Sequence, residues 1–191
     1  MKTTKDLKGI ADVIAGYSFR TALQGKENAS CFALQAKNIL DGSIIDEDNL
    51  EGIDFENYRS KAVIEKNDIV VSSRGSFRAG LVGVSGKNII ASSSVYILRL
   101  KDKNIMPEYL TIYLNSSDGQ KQLTESSTGA TIKSIKKNDL ENIEIIMPNL
   151  EKQKKIIEVY HTNNKLQEAL IKKINLIKNI NEVVINKLLK N

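Results

Sequence analysis

From Pro148 to Asn191 the chain reads PNLEKQKKII EVYHTNNKLQ EALIKKINLI KNINEVVINK LLKN, with no glycine and no second proline. Apolar side chains recur here in an alternating spacing of four and three: Ile156, Tyr160, Leu170, Ile174, Ile177, Val184 and Leu188. Asn163, Gln167 and Asn181 hold the other seam positions, where polar residues set register. The spacing predicts one long amphipathic helix over 150–191. Further Ile and Val at 157, 159, 171, 180, 183 and 185 widen the stripe, so the helix is expected to meet more than one neighbour. About 38 residues at 1.5 Å each make a rod of roughly 55–60 Å. That exceeds what a small domain needs for its own core, so much of the rod should project and pair, most simply with a second copy of itself.

Outward from this helix, residues 1–149 have a different texture, predicted to be one compact domain. Short β-branched runs lie between turn residues: 31–35, 68–71, 81–84, 88–91 and 94–100 predict strands. Pro107 opens a run with apolar spacing of three to four, which predicts a helix ending near Asp118-Gly119. Asn138-Asp139-Leu140 predicts a short helical turn, and 143–147 another strand. The expectation is an α+β fold: a compact domain with a twisted, mostly antiparallel sheet and short helices over 1–149, then a coiled-coil helix over 150–191.

Charge is sorted along the chain. The 191 residues carry a net +5, and all of the excess lies in 150–191, with nine lysines against four glutamates. Asp41 to Glu56 holds seven acids and no base, read as a solvated loop, whereas Arg74 to Lys103 holds six bases and one acid. Basic segments suit a polyanion such as nucleic acid; a solvated lysine-rich surface accounts for the charge alone equally well.

Several chemistries are excluded. One cysteine and one histidine cannot make a disulfide or a structural zinc site. No stretch approaches a membrane span or a signal-peptide core, so a cytoplasmic location without membrane contact is expected. The segment from Gly80 to Asn88 has the wrong glycine spacing for a phosphate loop, and Asn88 stands where Ser or Thr would hold magnesium. No nucleophile elbow or clustered metal-binding carboxylates are present. The chain is read as having no catalytic residue and no metal site.

A further ordered set of motifs carries a resemblance. Ile14-Ala15-Gly16-Tyr17-Ser18-Phe19-Arg20, Gln35-Ala36-Lys37-Asn38-Ile39 followed by Gly42, Asn67 through Gly75, Tyr109-Leu110 through Asn115-Ser116, Ser127 through Ile132, Leu140 to Ile143, and finally Ile146 to Gln153 succeed one another. In this order they resemble the target-recognition domain of type I restriction-modification specificity subunits, in a single-domain, half-length form. Met147 departs from a common second proline, and Lys152 from the usual acid before the glutamine.

The resemblance implies a non-catalytic, sequence-specific DNA-binding subunit. Its partners would be double-stranded DNA, modification (methyltransferase) subunits that bind S-adenosylmethionine, a restriction and translocation subunit, and a second copy of the chain. The chain itself would bind no cofactor. Full specificity subunits resemble two recognition domains joined by two long helices, so a homodimer is expected to read a bipartite inverted repeat. Half-sites would lie roughly 12–18 base pairs apart at about 3.4 Å per pair.

Candidate DNA contacts sit in loops, where base edges and phosphates are reached. They are Ser18, Phe19 and Arg20; Arg74, Ser76, Phe77 and Arg78; Lys87; and Ser127, Thr128, Thr131 and Lys133. Phe19 and Phe77 equally suit core filling, and the arginines surface ion pairs. The expected dimer interface is Ile156, Tyr160, Asn163, Gln167, Leu170, Ile174, Ile177, Asn181, Val184 and Leu188. A reading from another class makes the chain a coiled-coil protein adaptor without DNA readout.

Overall fold

Val70 and Ile97, β-branched and fully buried, face each other across two central strands, and the domain is organised around this pair. The computed structural model describes residues 3–20, 25, 28–40, 45–54, 60–83 and 88–190. Along the chain these form β1 (Thr4–Asp6), α1 (Leu7–Ile10), β2 (Ala11–Ala15), β3 (Cys31–Leu34), a single 3₁₀ turn (Ala36–Asn38), β4 (Glu51–Ile53), β5 (Ile69–Ser72), β6 (Ala79–Leu81), β7 (Ile89–Ala91) and β8 (Val95–Leu100). There follow α2 (Pro107–Asn115), α3 (Ser117–Glu125), α4 (Lys137–Glu141), β9 (Glu144–Ile146) and α5 (Leu150–Leu189).

The strands divide among three sheets. Four of them, in the order β2-β8-β5-β6, are antiparallel throughout; β4-β3-β7 has one antiparallel and one parallel pairing; β1 pairs with β9. Leu34, Ile89 and Ala91 of the three-stranded sheet and Val70, Val95 and Ile97 of the four-stranded one share a single buried cluster, closed by Ile39, Leu50 and Val82. Burying each of these large side chains contributes about 1.5–3 kcal/mol.

Two sheet edges are closed by side-chain amides. Asn115, at the end of α2, accepts from the Ala79 N–H at 3.0 Å and donates to the Ala79 carbonyl at 2.8 Å, completing β6 as a neighbouring strand would. Gln122 on α3 does the same for Glu144 of β9, at 2.9 and 2.8 Å. Satisfying an edge in this way removes a template for unwanted pairing. A third amide anchors the start of α5: Gln153, fully buried, accepts from the Met106 N–H and donates to the Asn104 and Pro148 carbonyls, each at 2.8 Å. Asn149 caps the same turn, accepting from the Lys152 N–H at 2.9 Å.

Several elements differ from the sequence reading. The helix begun by Pro107 stops at Asn115, and Ser116 caps a second helix, with its hydroxyl accepting from the Gly119 N–H at 3.3 Å. The strand expected at 81–84 is centred earlier, at Ala79–Leu81, because the chain leaves its pairing with β5 after Leu81; residues 84–87 lie outside those described. Within the acidic stretch, Glu51–Ile53 is a strand with Gly52 and Ile53 buried, and Glu51 pairs with Lys37, so this part is no solvated loop. Residues 41–44 and 55–59 of that stretch lie outside those described.

The chain divides into two compact units, Met1–Lys154 and Lys155–Asn191. In the second unit α5 is one uninterrupted helix with Leu170, Ile174, Ile177 and Val184 each about half exposed (50, 52, 48 and 49%). No helix of the described residues is long and apolar enough to cross a membrane.

One polar contact is set in the core. Asp68, 2% exposed, takes two hydrogen bonds from Arg99, Nε to Oδ1 at 2.9 Å and Nη2 to Oδ2 at 2.7 Å, and one from the Glu65 N–H at 2.7 Å. Removing one partner of such a pair leaves a buried charge without compensation. Arg99→Leu is therefore expected to destabilise the fold by about 3 kcal/mol, read as a lowered urea midpoint; a loss below about 1 kcal/mol would show that the pair is dispensable.

Candidate nucleic-acid interface

The three predicted reading loops are far apart in sequence; two of them are seated on one turn, and the third joins the second. Ser92-Ser93-Ser94 joins β7 to β8, and its backbone binds on several sides. The Gly16 N–H donates to the Val95 carbonyl at 3.1 Å, and the Tyr17 N–H donates to the Ala91 carbonyl at 2.7 Å, seating the first loop against the turn. The Ser73 N–H donates to the Ser94 carbonyl at 2.8 Å, and the Ser73 hydroxyl donates to the Ser93 carbonyl at 3.3 Å, seating the second. The third loop joins the second: the Gly75 N–H donates to the Lys133 carbonyl at 2.8 Å, and the Ile135 N–H to the Ser73 carbonyl at 3.0 Å.

Each loop has its own internal brace. In the first, the Tyr17 and Phe19 rings meet edge-to-face at 4.9 Å, and Phe19 packs against the buried cluster of Cys31, Ala33, Ile53, Ala62 and Ile90. Gly16 lets the backbone pass so close to Ser92 that a Cβ would overlap its carbonyl oxygen. In the second, the Ser72 hydroxyl donates to the Ser76 carbonyl and accepts from the Arg78 N–H at 3.0 Å, folding 72–78 into a tight connection between β5 and β6. Gln120 of α3 donates to the Phe77 carbonyl at 2.7 Å from outside. In the third, Thr128 and Ser134 exchange backbone hydrogen bonds at 2.8 Å each around Gly129, whose φ of +111° favours glycine.

The predicted residues separate by accessibility. Ser18, Arg20, Arg74, Ser76, Thr128, Thr131 and Lys133 are exposed; Ser127, Phe19 and Arg78 are half-buried. Phe77 is 3% exposed and fills core, so its side chain is not presented at the surface. Lys87 lies outside the described residues. Sequence reasoning missed the Ser92–Ser94 turn, although three serines between two β-branched runs were a turn signal. It also missed Tyr96, whose hydroxyl donates to the Ile135 carbonyl at 3.2 Å; burial, and then the Asp139 carboxylate, push its ionisation up.

The arrangement presents exposed guanidinium, ammonium and hydroxyl groups on braced loops, a donor-rich surface of the kind that reads phosphates and base edges. The described residues contain no cluster of His, Cys, Asp or Glu able to hold a metal ion.

A family model described as the type I restriction modification DNA specificity domain matches residues 2–183. Over 107 residues the chain is 32% identical to the type I restriction enzyme EcoBI specificity subunit of Escherichia coli, covering 55% of this chain and 22% of that protein. Among solved structures it is similar to the S subunit of a type I restriction-modification system from M. genitalium, with a TM-score of 0.58 at 19% identity, over 89% of this chain and 41% of that one. It is also similar to the HsdS subunit from Thermoanaerobacter tengcongensis, at 0.61 and 19% over 88% and 38%. A chain solved in work on assembly and conformational transition of the type I system gives 0.66 and 19%, over 88% and 39%. The chain thus spans between about a fifth and two fifths of the length of these relatives.

The close approach at Gly16 yields a test of the interface geometry. Gly16→Ala must displace the first loop from Ser92, with an expected loss of about 2 kcal/mol typical of overpacking, seen as a lowered thermal midpoint. An unchanged midpoint would mean that the loop is not held against the turn.

Proposed function

The chain belongs to the family of type I restriction-modification DNA specificity domains, and we propose on that premise that it is the sequence-reading, non-catalytic component of a DNA-modifying complex. The observation that supports this reading is the run of backbone contacts from the Ser92–Val95 turn to the first two loops, and from the second loop to the third, which braces the segments that carry Arg20, Arg74, Arg78 and Lys133. Arginine side chains suit guanine edges and phosphates, while hydroxyls such as Ser18, Ser76, Thr128 and Thr131 serve either. Methyl transfer from S-adenosylmethionine and cleavage then belong to separate subunits, in the cytoplasm with the DNA.

We further propose that two copies pair through α5. Covering the exposed halves of Leu170, Ile174, Ile177 and Val184 contributes about 1 kcal/mol per side chain, doubled in a two-fold pair. Association itself costs about 4–15 kcal/mol, so pairing at tens of micromolar needs the rest of the wide stripe covered as well, including the exposed Leu166, Ile171, Ile180 and Val183. Asn163, Gln167 and Asn181 fix the register. Two identical readers related by a two-fold axis select an inverted repeat with a fixed gap.

The reading predicts that Arg74→Ala with Arg78→Ala lowers selective methylation of the target by the assembled complex at least 10-fold, from about 1–3 kcal/mol per specific contact, with subunit assembly intact. Unchanged selectivity would favour an adaptor role in which the helix only docks proteins. Light scattering of the chain at tens of micromolar should give twice its 21.3 kDa mass, and Leu170→Lys with Ile177→Lys should return it to the monomer. A parent chain that stays monomeric throughout would remove the self-pairing model.

A further inference from the structure

A groove of about 690 Å³ runs beside β2, the outer strand of the four-stranded sheet, and every residue of that strand from Ala11 to Ala15 lines it. Its whole lining carries Lys8, Lys61, Arg99, Lys101 and Lys137 against only Asp12 and Glu141. We propose that this groove is the track for the sugar-phosphate backbone of a DNA duplex whose bases are read at the neighbouring loops. The inference rests on the DNA-reading function above and adds to it the surface that supplies affinity without sequence preference.

Continuity with the loop interface argues for this occupant. At one end of the groove Ala15 leads directly into Gly16 and the first reading loop. Along its side Lys137 opens α4, two residues after Ile135, whose N–H binds Ser73 in the second loop. Five residues of strand at about 3.3 Å each give a track of roughly 17 Å. At about 3.4 Å per base pair that is the span of some five pairs. A strand of DNA leaving the loops has a run of cations to follow, along a groove whose lining is more polar than apolar.

The lysines are free to switch partners at little cost, whereas the arginine is not. Lys101 pairs with Asp12 at 3.1 Å, Lys137 with Glu141 at 3.6 Å and Lys8 with Asp6 at 3.5 Å, and all three ammonium side chains are about half exposed. Surface pairs of this kind are worth about 0–1 kcal/mol, less than the release of counterions that follows each phosphate neutralised. Arg99 is committed to the buried Asp68 and belongs to the scaffold. The groove therefore offers four ammonium groups as phosphate contacts and one guanidinium as their support.

The test is a salt titration of duplex binding by the full chain. Lys61→Gln, Lys101→Gln and Lys137→Gln combined should weaken binding of an unrelated 30-base-pair duplex roughly 30-fold or more at 0.1 M salt. The slope of log affinity against log salt should shrink by about 1 per lysine. The same substitutions to arginine should restore both, which separates charge from misfolding. Arg74→Ala with Arg78→Ala should instead reduce discrimination between target and unrelated duplex. If the glutamine variant keeps the parent's affinity and slope, the groove is not a phosphate track, while loss of discrimination in the arginine-to-alanine variant would still support reading at the loops. If the parent shows no salt-dependent duplex binding, both ideas fall. If DNA binding is unchanged but binding of poly-glutamate is lost, the groove belongs to an acidic peptide and the proposal is overturned.

Discussion

The backbone of Ser92–Val95 is where the two larger sheets and the loops after β2 and β5 are tied to one another. Ser92 donates to the Leu34 carbonyl in the three-stranded sheet, and Ser94 accepts from the Ala36 N–H. Their hydroxyls lie 2.8 Å apart. On the other side the same four residues bind Gly16 and Ser73. A turn with this many obligatory partners has little freedom to move without breaking several hydrogen bonds, each worth about 0.5–1.5 kcal/mol net. Loops whose tips can vary in sequence are thereby fixed at their bases, the arrangement a recognition surface needs if base contacts are to be held in register.

The same logic appears where primary amides substitute for strands. Asn115, Gln122 and Gln153 each present one donor and one acceptor in a plane, which is the pattern of a peptide group. Asn115 and Gln122 finish sheet edges that would otherwise end in unpaired backbone, and Gln153 finishes the loop from Asn104 to Met106. Tyr109 and Tyr113 add hydroxyl donors to the Ile146 and Glu144 carbonyls, at 2.8 and 3.1 Å. Burial, and then Tyr113, push the Tyr109 ionisation up to about 12, so its hydroxyl stays a donor across the physiological range. Short strands of three residues survive here because side chains, not further strands, complete their hydrogen bonding.

How much of this was legible in the sequence follows from which interactions are local. The long helix and the helix at Pro107 show through the helical spacing of their apolar residues, and the strands around Val70 and Ile97 through short β-branched runs between turn residues. β1, α1 and β2 were missed: Thr4 to Ala15 alternates too briefly for a period to show, and β1 exists only because β9, some 140 residues later, pairs with it. The division into three sheets was equally out of reach, since β3 pairs in parallel with a strand more than 50 residues away. The loop residues are candidates from motif order; Phe77 among them belongs to the core, and nothing local distinguishes it from an exposed aromatic. Gln153 stands in the ordered motifs, but its reason is tertiary: three hydrogen bonds in a site closed to water.

Charge in the folded domain is divided by function in a way that net charge conceals. Residues 1–149 carry as many acids as bases, and a uniform mixture would give no field to attract a polyanion. The fold breaks the uniformity. It consumes Arg99 in a buried pair with Asp68, and it holds Lys37 to Glu51 and Lys5 to Asp102, whose carboxyl is lowered to about 2 chiefly by that lysine. The cations left in weak surface pairs, Lys101 and Lys137, border the groove beside β2, while Arg20, Arg74 and Lys133 stand exposed on the loops. A domain of zero net charge can thus carry local groups of cations at the groove and on the loops. In the proposed DNA-reading role selectivity would depend on that restraint: sequence-independent grip that grew too strong would hold the protein equally well everywhere and erase the difference that base contacts create.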